Sequence, residues 1–148
     1  MRREILSWVE KQITENFKKG QLRSTHIIVL FKGNSLPKYC VSMPRNPEPP
    51  DELPLTNDFV ELFLSIAKNN LSIKDGAIMI RIDHNPPILK GFSFRLYPPP
   101  LIVRREKNMG SGYNSALDFS GVDRVLCVYF INKTGVRKFI KDREVKIC

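Results

Sequence analysis

The stretch from Ile88 to Phe130 constrains the fold more than any other part of the 148-residue chain. It reads ILKGFSFRLYPPPLIVRREKNMGSGYNSALDFSGVDRVLCVYF, a series of short apolar runs punctuated by Pro- and Gly-marked turns. Apolar runs of this length, rich in β-branched and aromatic residues and bounded by turn residues, predict strands. Gly91 to Tyr97 alternates, with Phe92, Phe94 and Leu96 to one side and Ser93, Arg95 and Tyr97 to the other. That is the period of a strand with one face in a core. Pro98-Pro99-Pro100 ends the run, because prolines lack the backbone donor a ladder needs. Leu101 to Arg105 is expected as the next strand, with a reversal around Gly110-Ser111-Gly112 and Tyr113 to Phe119 as the return. Val122 to Ile131 is the most hydrophobic strand. The basic segment Arg104-Arg105-Glu106-Lys107 runs into the glycine turn, so the expected product is a sheet that presents a charged hairpin.

The rest of the chain supplies helices to cover that sheet. Ile5, Leu6, Val9, Ile13 and Phe17 form one stripe at the helical period over residues 3–18, and Gly20 is a stop signal. Trp8 lies to one side of this stripe, at the edge of a core or as an exposed aromatic contact. Ser24 to Phe31 predicts a central strand, Lys32 to Ser35 a turn, and Tyr39 to Met43 the returning strand. Residues 44–56, PRNPEPPDELPLT, read as a Pro-rich acidic loop inserted in the domain. Asn57 to Asn70 predicts a second helix, capped by Thr56 or Asn57, whose broad apolar face suits flat packing on a sheet. Ala77 to Ile82 is a strand after Asp75-Gly76, and His84-Asn85-Pro86-Pro87 is a turn. Val136, Phe139, Ile140 and Ile147 share a helical face, which predicts a short C-terminal helix over 136–148. Sequential strands joined by short turns imply a single α+β domain with an antiparallel sheet of about six to seven strands.

Charge and chemistry narrow the function classes. The net charge is +9, and the basic excess lies from Arg81 onward, with 13 Lys and Arg against 6 Asp and Glu. An acidic partner is implied: a protein, an anionic lipid headgroup or nucleic acid. No apolar run reaches the roughly 18 residues of a membrane span, and the N-terminus lacks the apolar core of a signal peptide, so an intracellular protein is expected. Cys40, Cys127 and Cys148 are odd in number and widely spaced, which argues against a disulfide framework and against zinc. His26 reads as a strand residue and His84 as a turn residue, with no ligand or base partner at a telling spacing. No catalytic constellation is visible, so the chain is expected not to be an enzyme and to need no cofactor or metal. The glycines at 110–112 are a weak phosphate-loop signal, since a strand and not a helix is expected after them. Aromatic and basic residues interleave from Phe94 to Tyr113, a pattern that suits a nucleic-acid platform.

The order of elements resembles the profilin family over most of the chain. SWVEKQI resembles the family's first helix with its early Trp, STHIIVLFKGN and PKYCVSM its hairpin, and NDFVELFLSI its next helix. LKGFSFRLYP, LIVRREKNMGSGYN and DRVLCVYFINKTG resemble its later strands and the approach to its last helix. The Pro-rich insertion and short C-terminal helix resemble an outlying, Asgard-archaeal type of member. The resemblance implies terminal helices on one face of the sheet and a further helix on the other. It implies a monomeric, cytoplasmic, cytoskeletal protein that binds monomeric actin or an actin-like protein, with no nucleic acid as partner. The implied actin face comprises Arg104, Arg105, Lys107, Asn114, Arg137, Lys141 and Arg143. Proline-rich peptides would meet Trp8 and Tyr39, although Lys11 stands where the family has an aromatic, and anionic phosphoinositides would meet the basic strand. Two other classes fit the same elements: a small basic nucleic-acid-binding domain, and a longin- or roadblock-like scaffold for a small GTPase.

Overall fold

β1 (His26–Phe31) lies at the centre of the sheet because both its faces are apolar. Ile28 and Leu30 point into one core, Val29 and Phe31 into another on the opposite side. In this computed structural model, residues 2–22, 25–43, 52–69, 76–99, 110–145 and 147 are described. The remaining elements are α1 (Arg2–Lys18), β2 (Cys40–Ser42), β3 (Leu53–Pro54), α2 (Phe59–Asn69), β4 (Ala77–Arg81), β5 (Ile88–Leu96), α3 (Ser111–Phe119), β6 (Val125–Asn132), β7 (Gly135–Ile140) and β8 (Arg143–Val145). The strands form one sheet in the order β2-β5-β4-β1-β6-β7-β8, with β3 also paired to β5. The chain is an α+β domain, as its pattern predicts.

Helices cover both faces. α1 and α2 bury Val9, Ile13, Phe59, Val60 and Phe63 on the side of Ile28 and Leu30. α3 buries Ala116 and Phe119 on the side of Val29 and Phe31. A polar contact fixes α1 to the sheet: the Glu10 carboxylate accepts from the Tyr129 hydroxyl at 2.8 Å and from Lys138 at 2.7 Å. Burial, then the neighbouring Cys127 and Glu10, drives the Tyr129 phenol far above its ordinary pKa, so it remains a donor.

Several expectations need correction. β1 and β2 do not form a hairpin; β2 lies three places from β1 and pairs with β5. The centre of the sheet is not antiparallel, since β1 and β4 run parallel from Ile27↔Ala77 to Phe31↔Arg81, with α2 in the crossover between them. The other pairings are antiparallel. Tyr113 to Phe119 is not a returning strand but part of α3. Its buried apolar residues, Ala116 and Phe119, recur at i, i+3 from half-buried Tyr113, which is a helical and not a strand period.

The C-terminal segment is not a helix either; it is the hairpin β7–β8. Val136 and Ile140 turn to one core and Phe139 to the other, so the period is two. Its turns explain the choice. The Asn132 side-chain oxygen accepts from the Thr134 backbone and hydroxyl (3.0 and 2.6 Å), closing the β6–β7 turn. Lys141 and Asp142 both have φ near +50 to +70° (49° and 69°), the signature of a two-residue turn between strands. The helices therefore sit two on one face and one on the other, with none at the C-terminal end of the described chain. The strand expected at 101–105 lies outside the described residues, as do Arg104, Arg105 and Lys107, and residues 44–51 of the Pro-rich loop.

Candidate functional site

A break in β5 shapes the site. Strict alternation would place Phe92, Phe94 and Leu96 on one face. Instead Phe92 enters the α1/α2 core, while Phe94 and Leu96 turn to the α3 side. The register against β4 jumps between Met79↔Gly91 and Ala77↔Phe94, and Ser93 takes φ +62°. This is a bulge, an extra residue that re-aims the strand beyond it.

The bulge aligns Ile27, Ala77 and Phe94 as one row across β1, β4 and β5. Met43 lies beside the row at the end of β2, its N–H donating to the Ser93 carbonyl at 3.0 Å. Gly112 and Ser115, one turn apart on α3, form the facing wall. Between them lies an open cleft of about 420 Å³, with Leu96 and Arg95 at its border. Its volume falls within the range of small-molecule sites. Gly76 keeps the floor low. At φ +85°, a Cβ there would stand 2.6 Å from the Met43 methyl and 2.8 Å from the Phe94 carbonyl oxygen.

The start of α3 gives the cleft its polarity. Gly110 is the N-cap at φ 94°, it has no side chain to cap the helix, and no acidic residue stands in the first turn. The aligned peptide dipoles thus leave partial positive charge, and amide donors, beside the cleft. Tyr113 holds this end in place. Its hydroxyl donates to Glu144 at 2.7 Å, and its ring stands edge-on to Phe139 and Phe130 at 5.0 and 5.9 Å. Arg137 lies 5.6 Å from the ring centre and also donates to Glu144, at 3.2 Å. Burial and the Glu144 carboxylate raise the Tyr113 pKa, which keeps the donor protonated.

The residues anticipated from sequence divide between places. Arg137, Lys141 and Arg143 lie on β7, the β7–β8 turn and β8 at one edge of the sheet, and Asn114 lies on α3, where its neighbour Tyr113 donates to Glu144 of β8. The Asn114 side-chain oxygen is buried there without a hydrogen-bond partner. Trp8 and Tyr39 are held by different partners. The Trp8 indole donates to Asn57 at 3.0 Å and packs near Phe59, whereas Tyr39 pairs with Tyr97. His26 is buried edge-on to Phe63, and the His84 ring lies 3.0 Å from the Pro86 carbonyl oxygen. Among the described residues no group of His, Cys, Asp and Glu is placed to hold a metal. The cleft was missed because the expected strand after Gly110-Ser111-Gly112 removed the helix that gives those glycines meaning. The 113, 116, 119 spacing was the signal that could have found it.

Cys40, at the edge of the α3-side core, is half-buried and donates to the Pro37 carbonyl. Burial pushes its thiol up to about 11, against a smaller opposing effect of Arg124. At pH ~8 its thiolate fraction is then about 100-fold below that of an ordinary thiol. Iodoacetamide labelling followed by mass spectrometry is expected to modify Cys40 about two orders of magnitude more slowly than glutathione. Labelling at the glutathione rate would mean the site is open. The raised pKa also means that stability from this group is lost as pH rises from 9 towards 11.

No family model and no curated protein matches the chain. Solved structures do match. A hypothetical membrane spanning protein from Bacillus cereus aligns with 96% of this chain at a TM-score of 0.62 and 11% identity. The chain spans 62% of that protein's length. DacA from Staphylococcus aureus, as an N166C/T172C double mutant, aligns with 97% of this chain and 85% of its own, at a TM-score of 0.60 and 17% identity. No helix among the described residues is long and apolar enough to cross a membrane. At these identities the likeness concerns the fold alone: almost the whole chain adopts a backbone arrangement similar to those of the Bacillus cereus protein and of DacA.

Proposed function

We propose that the protein binds a phosphate-bearing small molecule of nucleotide size in the cleft between β4, β5 and α3. The observation that carries this reading is the start of α3, with glycine at its N-cap, forming one wall of a cleft whose floor is apolar. Ile27, Met43, Ala77, Phe94 and Leu96 would take a flat, weakly polar ring system, which gains from leaving water. The first-turn amides of α3 would take phosphate oxygens, and the Ser115 hydroxyl is one turn away. Gly76 lets Met43 and the Phe94 backbone close over the floor, and Gly112 lets α3 approach the Phe130 ring, so both glycines set the walls by close packing. Calorimetric titration with ATP, ADP, AMP and inorganic phosphate tests the reading. Saturable heat is expected with the nucleotides and a weaker response with phosphate alone; no heat with any nucleotide would refute it.

A second reading, binding of monomeric actin or an actin-like protein, is favoured by one arrangement. Arg137, Lys141 and Arg143 share the β7–β8 edge of the sheet, and Asn114 lies on α3, whose Tyr113 donates to Glu144 of β8. In that reading the basic edge would meet an acidic surface. Slower spontaneous actin polymerisation in the presence of the protein, relieved by Arg143→Glu, is its expected mark.

A further inference from the structure

Four large apolar side chains stand exposed among the described residues, and three of them share one edge of the sheet. Tyr39, Val41 and Tyr97 are 39%, 49% and 53% exposed. The Tyr97 N–H donates to the Tyr39 carbonyl at 2.9 Å, continuing the β2–β5 ladder, and the two rings meet edge-to-face at 6.1 Å. In the next rung of the same parity Val41 lies opposite exposed Arg95. Arg95 and Tyr97 alternate with Phe94 and Leu96, which face the α3 side, so this patch belongs to the other face of the sheet.

Two properties of the patch are unusual for a merely solvated edge. Tyr39 holds φ +67°, a left-handed conformation that disfavours a bulky side chain. Glycine or asparagine would meet that conformation without presenting a ring. The two segments that carry the patch are also of one sign. Lys38 and Arg95 are exposed, and no Asp or Glu occurs in 32–43 or 91–99. The whole chain carries +9.

We propose that this edge docks a single strand of nucleic acid, with bases stacking on Tyr39 and Tyr97 and with Arg95 and Lys38 against the phosphates. Aromatic faces accept any base, and cations beside them track the backbone, so the expected binding is strand-specific and sequence-tolerant. Of the residues in this patch only Arg95 also borders the cleft, and the proposal does not depend on the ligand proposed there. An aromatic strip could also take a proline-rich peptide, but the one-signed charge around these rings favours a polyanion.

Fluorescence anisotropy of the full chain with a labelled oligo-dT of about 16 nucleotides tests this. Affinity is expected to fall with salt at a log–log slope of about −1.4, the value for two phosphate contacts. The double substitution Tyr39→Ala, Tyr97→Ala is expected to weaken binding at least about 10-fold. Because both side chains are exposed, its melting midpoint should stay close to that of the parent. Phenylalanine at both positions should retain binding, since the rings and not the hydroxyls make the contact. Arg95→Glu should flatten the salt slope, and Gly112→Leu in the cleft should leave oligonucleotide binding unchanged. Absence of binding at low salt would overturn the proposal. So would undiminished binding by the double alanine variant, which would reduce the interaction to net charge. Capture of a proline-rich peptide without oligonucleotide binding would assign the edge to a different partner and equally overturn it.

Discussion

Arg124→Ala is expected to destabilise the protein by about 3 kcal/mol and to lower its melting midpoint by roughly 10 °C. Arg124 follows α3, and its guanidinium reaches back to the turn after β1. It donates to the carbonyls of Lys32, Ser35 and Leu36 at 2.9, 2.8 and 2.9 Å. The Arg124 carbonyl in turn accepts from the Lys32 N–H at 3.0 Å. Three carbonyls of one turn are thus satisfied by a single cation, and hydrogen bonds to charged groups are among the stronger ones. Alanine removes all three at once, and water entering this half-buried turn recovers part of the loss. Arg124 itself has φ +70°, so Arg124→Gly relieves backbone strain and should be less damaging than alanine by about 1 kcal/mol. Gly33 provides a cross-check, because a Cβ there would stand 2.2 Å from an Arg124 nitrogen. Gly33→Ala should therefore displace the same guanidinium, and in the double variant only the backbone strain of alanine at φ +110° should add to the loss from Arg124→Ala. Chemical denaturation of the four proteins measures this. A fall of less than about 1 kcal/mol for Arg124→Ala would show that the turn holds without its cation.

What the sequence made legible follows physical lines. α1, α2, β1, β4 and β6 carry long apolar runs at one clear period, and burial dominates the fate of such runs. The segments misassigned are those where a few turn residues decide. Val136 to Ile140 fits both a helical face and a strand alternation. The left-handed pair Lys141 and Asp142 tips it to a hairpin, and neither is a residue type that announces such a turn as glycine does. Phe94 and Leu96 seemed to share a face with Phe92, and only the conformation of Ser93 moves them across the sheet. The partners of β2 were equally hidden. Adjacency in sequence favours a β1–β2 hairpin, but β1 already gives both edges to β4 and β6. The cleft depends on three of these decisions together: the bulge in β5, the parallel β1–β4 pair, and a helix after Gly110. A reading that took each segment alone had no means to assemble it.

That dependence makes Gly112→Leu the decisive substitution for the cleft. Gly112 lies inside α3 with no left-handed φ, so leucine is conformationally allowed there. Leucine is also the better helix former, by about 0.8–1 kcal/mol. The new Cβ would lie 3.2 Å from the Phe130 ring edge, which would have to yield by a few tenths of an ångström. Phe130 is buried, so that adjustment consumes much of the propensity gain. The melting midpoint is therefore expected to remain within a few degrees of the parent. Ligand binding should respond very differently. Gly112 lines the cleft in the first turn of α3, so a leucine there alters the wall that carries the amide donors. Nucleotide affinity in the same calorimetric titration should fall at least about 10-fold. Gly112→Ala, which adds only the Cβ, should reduce affinity far less. Retained affinity in a folded Gly112→Leu protein would place any nucleotide site elsewhere on the molecule. A folded protein that has lost nucleotide binding, yet keeps the slow Cys40 labelling of the parent, would fix the ligand to this cleft.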